Sequence, residues 1–184
     1  MQVEDTGLFG VKRIHPKVFG DRRGFFFESY NQKSFSQAGI ETQFVQDNQS
    51  LSSQGVLRGL HFQRSNPQGK LVWVLAGSVL DVVLDLRRSS PSFGRWESFE
   101  LSSENHEQLW IPKGFAHGFA VLSETALFCY KVDEYYNPQD EGGIKWDDPA
   151  LGIEWRLENP VLSAKDQKLP TFAEFVKAPD YPFP

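Results

Sequence analysis

Leu71-Val72-Trp73-Val74-Leu75-Ala76 runs into Gly77-Ser78 and is followed at once by Val79-Leu80-Asp81-Val82-Val83-Leu84-Asp85-Leu86. Apolar runs this short, rich in β-branched residues and joined by a Gly-Ser turn, read as strand, turn, strand. Alternation in the second run puts Asp81, Val83 and Asp85 on one face and Val82, Leu84 and Leu86 on the other. The punctuation continues downstream. Residues 89–94 make a Ser, Pro and Gly turn, residues 96–101 and 108–111 are strands, Pro112-Lys113-Gly114 turns, and residues 115–122 and 126–132 are strands. Short strands at this spacing predict a mainly β, antiparallel sandwich or barrel. The sixteen Phe, five Trp and five Tyr agree, since aromatic side chains suit a pleated, half-buried surface.

Toward the N-terminus, a first strand is expected to end in Pro16-Lys17-Val18-Phe19, with a turn over residues 20–24 and a second strand over residues 25–30. Residues 31–38 fit a short helix closed by Gly39. Residues 42–49 read as a strand with Phe44, Gln46 and Asn48 on one face; two amides there suit either a polar ligand or an ordinary wet surface. From Tyr135 onward Gly, Pro, Asp and Trp predict long ordered loops. Thr171-Phe172-Ala173-Glu174 has capping-box spacing for a short helix, and the Pro-rich tail, residues 178–184, is expected to be exposed. No repeat or linker divides the chain, so residues 1–184 are expected to form one domain.

A net charge of −5 argues against a general nucleic-acid or membrane surface, so an anionic ligand must be met by local cations. The single Cys129 excludes an intramolecular disulfide and suits a reducing compartment, where it reads as a small core hydrophobe. With no charged-then-apolar leader and no long apolar run, the chain is expected to be soluble and cytoplasmic.

Chemistry concentrates in Leu57-Arg58-Gly59-Leu60-His61-Phe62-Gln63 and the Gln68-Gly69-Lys70 that follows. A neutral imidazole accepts a proton near pH 7, and a nearby cation stabilises the negative charge left behind. Proton abstraction next to a carbonyl is the simplest reaction that needs both. Taken singly, His61 is an ordinary structural histidine and Arg58 and Lys70 are solvated charges; grouped in an apolar neighbourhood, the catalytic reading becomes equally tenable. In a regular strand Arg58 and His61 face opposite sides. Either Gly59 marks a bulge, or Arg58 works from the barrel mouth while His61 points inside.

Pro112-Lys113-Gly114-Phe115-Ala116-His117 resembles the second conserved motif of the cupin superfamily, and Gly59-Leu60-His61 stands where the first begins. Metal-binding cupins carry His-x-His there; this chain has His61-Phe62-Gln63, so His61 and His117 make a weak metal site at best. The resemblance narrows with Gly20-Asp21-Arg22-Arg23-Gly24-Phe25-Phe26-Phe27-Glu28-Ser29-Tyr30, Phe44-Val45-Gln46-Asp47-Asn48, Gly69-Lys70, Tyr135-Tyr136 and Leu162-Ser163-Ala164-Lys165-Asp166. Together these are similar to the dTDP-4-dehydrorhamnose 3,5-epimerases, from about Pro16 to Pro170.

That resemblance implies a cupin-type double-stranded β-helix, or jelly-roll, barrel with a few short helices. It implies a cofactor-free, metal-independent isomerase that inverts dTDP-4-dehydro-6-deoxy-D-glucose at C3 and C5 through an enolate, the third step toward dTDP-L-rhamnose. His61 matches the base, Asp166 the carboxylate that pairs with it, Lys70 the stabiliser of the enolate oxygen and Tyr130 the acid on the opposite face. His117 matches a substrate-binding position near the sugar. Arg23, Glu28, Gln46, Asn48 and Arg58 match nucleotide and diphosphate contacts, Tyr136 the aromatic stacked on thymine, and Glu141 and Lys165 further ligand contacts. Because the Arg23 and Glu28 region crosses a dimer interface in the family, a homodimer is implied. Three rivals share parts of this pattern: an epimerase acting at only one carbon, a non-catalytic jelly-roll sugar-binding module, and a metal-dependent cupin oxidoreductase.

Overall fold

A computed structural model describes residues 1–178 and 183. Along the chain come β1 (Gln2–Asp5), β2 (Lys12–His15), β3 (Phe19–Asp21), β4 (Gly24–Phe26), α1 (Gln32–Gln37), β5 (Gln46–Ser53), β6 (Leu57–Gln63) and β7 (Lys70–Ala76). They are followed by β8 (Ser78–Asp85), β9 (Trp96–Ser102), β10 (Gln108–Ile111), β11 (Phe115–Val121), β12 (Thr125–Val132), β13 (Glu141–Gly143) and α2 (Phe172–Lys177). A six-stranded sheet in the order β1-β2-β10-β7-β12-β5 faces a five-stranded sheet in the order β13-β6-β11-β8-β9, and β3 and β4 form a hairpin apart from both. Every paired strand is antiparallel. This is the jelly-roll barrel of the cupin type. Among the described residues no helix is long and apolar enough to cross a membrane.

Alternation along the strands sorts the side chains into layers. Val72, Val83, Phe99, Leu109, Phe119 and Phe128 meet between the sheets. Val82, Leu84 and Leu86 point the other way, where Phe62, Ile144, Trp155 and Phe175 join them, so the C-terminal loops roof the outer face of the smaller sheet. Helix α1 delivers Phe35 onto Ile14, Ile40 and Leu71 on the far side of the larger sheet. It starts at Asn31, whose side chain accepts the Ser34 N–H, and ends before Gly39 at φ +79°. The capping box at Thr171 and Glu174 is formed, with both reciprocal bonds present.

Four expectations shift. The first strand stops at His15, because Pro16 has no N–H to give the ladder, and β1 precedes it. The strand expected over residues 25–30 reduces to β4: Phe27 lies tilted against His106, and Tyr30 packs edge-on against Phe35 and Phe44 just ahead of α1. The strand expected from residue 42 begins at Gln46, since Phe44 leaves the sheet to pack on Tyr30 and Trp110. The tail is not uniformly exposed: Phe183 is 3% exposed and packs edge-on against Phe62, and the rest of that segment beyond Ala178 lies outside the described residues. Cys129 is buried.

Candidate active site

At one end of the barrel the two sheets part around a cavity of about 580 Å³. Strand β6 sends Arg58 and His61 into it, β11 sends His117, β5 Asn48, β7 Lys70 and β12 Tyr130; Tyr136, Glu141, Lys165 and Asp166 close the rim. An imidazole on one sheet therefore confronts a phenol and an ammonium on the other.

The odd spacing of Arg58 and His61 is resolved by a bulge. Phe119 pairs with Arg58 and His117 pairs with His61, so Gly59 and Leu60 of β6 stand opposite Gly118 alone on β11. Gly59 makes this close approach feasible. It sits at φ +126°, and a Cβ there would lie 2.5 Å from the Gly118 Cα. Arg58 stays exposed at the mouth, where its Nε and one terminal nitrogen each donate to the Ser52 Oγ at 3.1 Å.

His61 Nε2 lies 2.5 Å from Asp166 Oδ1, and its Nδ1 is 4.0 Å from Glu141 Oε1. Asp166 is buried at the start of a short 3₁₀ helix (Asp166–Lys168), with its N–H donated to the Ser163 Oγ at 3.1 Å. Burial works against its ionisation, but the hydrogen bond and charge of His61, the Ser163 hydroxyl and Lys165 outweigh it, so the carboxyl titrates below the usual aspartate range. An ionised Asp166 makes Nε2 the N–H donor and leaves Nδ1 as the lone-pair nitrogen.

The Lys70 ammonium makes no hydrogen bond or ion pair among the described residues. Burial pushes its ammonium down to about 8, against the opposing pull of Asp81 and Glu141. Tyr130 stands beside it on the neighbouring strand, paired with Val72 and Asn48. Burial raises the phenol, Arg58 partly offsets this, and Glu141 adds to it, so Tyr130 stays protonated and able to donate.

Glu141 is the junction of the rim. It holds an ion pair with Lys165 and accepts the Tyr136 O–H at 2.7 Å. Burial opposes its ionisation, yet the hydrogen bonds from Lys165 and Tyr136 and the charges of His61 and Lys165 leave it below the usual glutamate range. That hydrogen bond, with lesser help from burial and neighbouring charge, pushes Tyr136 up to about 12. Tyr136 is fixed through its neighbours. Its own N–H donates to Gln46 Oε1 at 3.1 Å, and Gln46 Nε2 donates to Asn48 Oδ1 at 2.8 Å. Buried Gln63 gives its amide N–H groups to the Asn66 and Tyr135 carbonyls at 2.8 and 3.2 Å and accepts the Asn137 N–H at 2.7 Å.

The chain thus gathers His61, Asp166, Lys70, Tyr130, His117, Asn48, Arg58, Tyr136, Glu141 and Lys165 around one cavity, with Gln46 just behind it. Arg23 and Glu28 do not line it. Arg23 pairs with Asp21 at 2.5 Å on the β3–β4 hairpin, and Glu28 accepts from Asn31 Nδ2 at 3.0 Å. Three contributors escaped the sequence reading. Asp81, fully buried, holds His117 Nε2 at 2.8 Å. Ser163 sets Asp166, and Gln63 sets the Tyr136 loop. A charge inside an otherwise apolar strand was the available signal for Asp81.

A sequence profile described as dTDP-4-dehydrorhamnose 3,5-epimerase matches residues 5–174. The chain is 56% identical over 173 residues to the Salmonella typhimurium dTDP-4-dehydrorhamnose 3,5-epimerase, covering 92% of this chain and 94% of that one. A crystal structure of the dTDP-6-deoxy-D-glucose-3,5-epimerase of Legionella pneumophila in complex with dTDP-4-keto-L-rhamnose matches with a TM-score of 0.94 at 48% identity, over 99% of this chain and 97% of that one. A 3'-monoepimerase of Streptomyces bikiniensis in complex with dTDP-quinovose matches with a TM-score of 0.85 at 34% identity, over 91% of this chain and 86% of that one.

Proposed function

Because the chain belongs to the dTDP-4-dehydrorhamnose 3,5-epimerase family, we propose that it converts dTDP-4-dehydro-6-deoxy-D-glucose to dTDP-4-dehydro-L-rhamnose, within dTDP-L-rhamnose biosynthesis, through the residues of this cavity. Nδ1 of His61 takes the proton from the carbon next to the C4 ketone. The electron pair of the broken C–H bond moves into a C–C double bond, and the ketone oxygen becomes an enolate. Lys70, desolvated and without a counter-ion of its own, stabilises that oxygen. Tyr130 then delivers its proton to the opposite face of the same carbon, and the enolate collapses to the ketone. Asp166 holds the His61 ring and stabilises the imidazolium. The same cycle serves C3 and C5, since both flank the ketone, once His61 has released its proton to solvent and Tyr130 has regained one from it.

One observation carries this reading: His61 and Tyr130 come from opposite sheets and face a common cavity. A base alone exchanges a proton and returns it to the same side. Inversion needs donor and acceptor on opposite sides of a planar enolate, and a sugar-binding module has no use for such a pair.

His117, tied to Asp81, contacts the sugar in this reading, and the mouth takes the nucleotide. Arg58 and Lys165 meet the diphosphate, Tyr136 stacks on thymine, and Gln46, Asn48 and Glu141 complete the contacts. Arg23 and Glu28 reach the cavity of a second copy in a homodimer. The β3–β4 hairpin supports this: all its strand residues are exposed, including Phe19, Phe25 and Phe26 at 55%, 61% and 67%. Residues 1–184 act as one catalytic domain, supported by both sheets contributing to one cavity, and the setting is cytoplasmic, as suits a nucleotide-sugar substrate.

The test is proton NMR of the purified protein with dTDP-4-dehydro-6-deoxy-D-glucose in deuterated water. Deuterium entering both C3 and C5, with the L-lyxo product trapped by a downstream reductase, is the expected result. Label at one carbon only identifies a single-site epimerase, and label at neither overturns the enolate mechanism.

A further inference from the structure

The acid–base pair leaves one nitrogen of the base facing a second carboxylate. His61 Nδ1, the atom that takes the proton, stands 4.0 Å from Glu141 Oε1. Glu141 cannot escape toward water, because its side chain is only 11% exposed and β13 pins it beside Gln63. Its two other partners are of a different kind. Lys165 is 53% exposed, and Tyr136 also stands largely in solvent. Both sit at the mouth, where a nucleoside diphosphate enters. The carboxylate is therefore fixed between a base on its inner side and a movable cation on its outer side.

We propose that Glu141 is a charge-tuning, positioning residue for His61, screened by Lys165 in the free protein and unscreened when the ligand's diphosphate draws Lys165 away. The idea rests on the epimerase reading for the identity of the ligand. Two or more negative charges arriving at the mouth compete directly with Glu141 for the Lys165 ammonium, which has the exposure to turn. Once Lys165 leaves, Oε1 faces Nδ1 with its full charge, and an Nδ1–H formed by proton abstraction finds a carboxylate waiting. An opposite charge within about 4–6 Å is the arrangement that favours a protonated imidazole by one to three pH units. Lys165 thereby screens Glu141 while the cavity is empty, and its departure turns the carboxylate's charge toward Nδ1 when substrate is seated. The other charged or titratable groups around His61 do not provide this response. Asp166 is buried and committed to Nε2, His117 faces Asp81, Tyr130 and Lys70 belong to the opposite wall, and Arg58 leans on Ser52.

The experiment follows the His61 ring by NMR through a pH titration, in the free protein and saturated with dTDP, for the wild type, Lys165→Met, Lys165→Arg and Glu141→Gln. In the free protein Lys165→Met is expected to move the ring's midpoint upward by about one pH unit, and Lys165→Arg to restore wild-type behaviour. In the dTDP complex Glu141→Gln is expected to remove about one unit of the rise that ligand binding produces in the wild type. The diphosphate's own field acts on every variant, so the difference between variants isolates Glu141. A midpoint unchanged by Lys165→Met, or a ligand-linked rise unchanged by Glu141→Gln, overturns the proposal. Failure of dTDP to bind counts against the epimerase reading instead, and the free-protein comparison still decides the charge coupling.

Discussion

His61 and His117 stand directly opposite one another on adjacent antiparallel strands, yet each ring is tied to its own carboxylate from a different part of the chain. Asp166 holds the first at 2.5 Å and Asp81 the second at 2.8 Å. The two imidazoles differ in access, with 28% of the His61 side chain exposed against 8% for His117. His61→Ala is expected to lower turnover by about 10³-fold or more while dTDP affinity changes little, and His117→Ala to act mainly on KM. Steady-state kinetics with a parallel dTDP titration separates them. Equal losses of kcat in both variants would contradict the assignment of base and sugar contact.

Tyr130→Phe tests whether inversion depends on the opposite wall. Without the phenol, His61 still removes the proton and solvent deuterium still enters the substrate. Epimerised product should fall by about 10²-fold relative to exchange. NMR in deuterated water reads both rates in one sample, and loss of exchange in step with inversion would assign Tyr130 to an earlier stage.

Lys70 links activity and stability with opposite signs. Its ammonium is pushed down to about 8 from 10.5, so activity should fall along an alkaline limb near pH 8 as the charge is lost. Between those two values the unfolded chain holds more protons than the folded one, so folding stability rises with pH across the same window. Lys70→Met is expected to remove the alkaline limb with a large loss of kcat, and to raise stability at pH 7 by about 2 kcal/mol. A pH–rate profile and thermal melts check the two halves independently.

The proposed homodimer predicts complementation. If Arg23 serves the neighbouring copy's cavity, Arg23→Ala and His61→Ala chains fail separately, but a mixed dimer contains one cavity with both groups intact. Random exchange of subunits should then restore about a quarter of wild-type activity. Light scattering gives the assembly state, and a mixture no more active than its parts would place Arg23 elsewhere.

Much of this was legible in the sequence because it depends on local rules. The turn at Gly77 between two strands, the short helix closed by Gly39 and the Thr171–Glu174 capping box each lie within a few residues and appear as read, although that turn carries the chain from one sheet to the other. What failed to show needed the fold. No spacing argument brings Asp166 to His61 across 105 positions, and that pairing was available only by resemblance. The bulge in β6 was an open alternative, since its cause is the approach of Gly118 on another strand to Gly59. Strand ends at residues 27–30 and 42–45 moved because Phe27, Tyr30 and Phe44 found aromatic partners distant in sequence, a tertiary demand that outweighs strand propensity.

Gln63 occupies the place where a metal-binding barrel of this type keeps a second imidazole, and here it bridges the Tyr135 carbonyl and the Asn137 N–H on either side of Tyr136 while also donating to the Asn66 carbonyl. It lies on the same strand as His61, two residues along, a span of about 7 Å in extended chain. The aromatic shelf at the mouth and the base inside are therefore mounted on one stiff rod. In the proposed reading, with the ligand's flat ring on Tyr136 and its reactive carbon at His61, such a rod works as a gauge: a sugar on a longer or shorter phosphate bridge is expected to fit the shelf and miss the base.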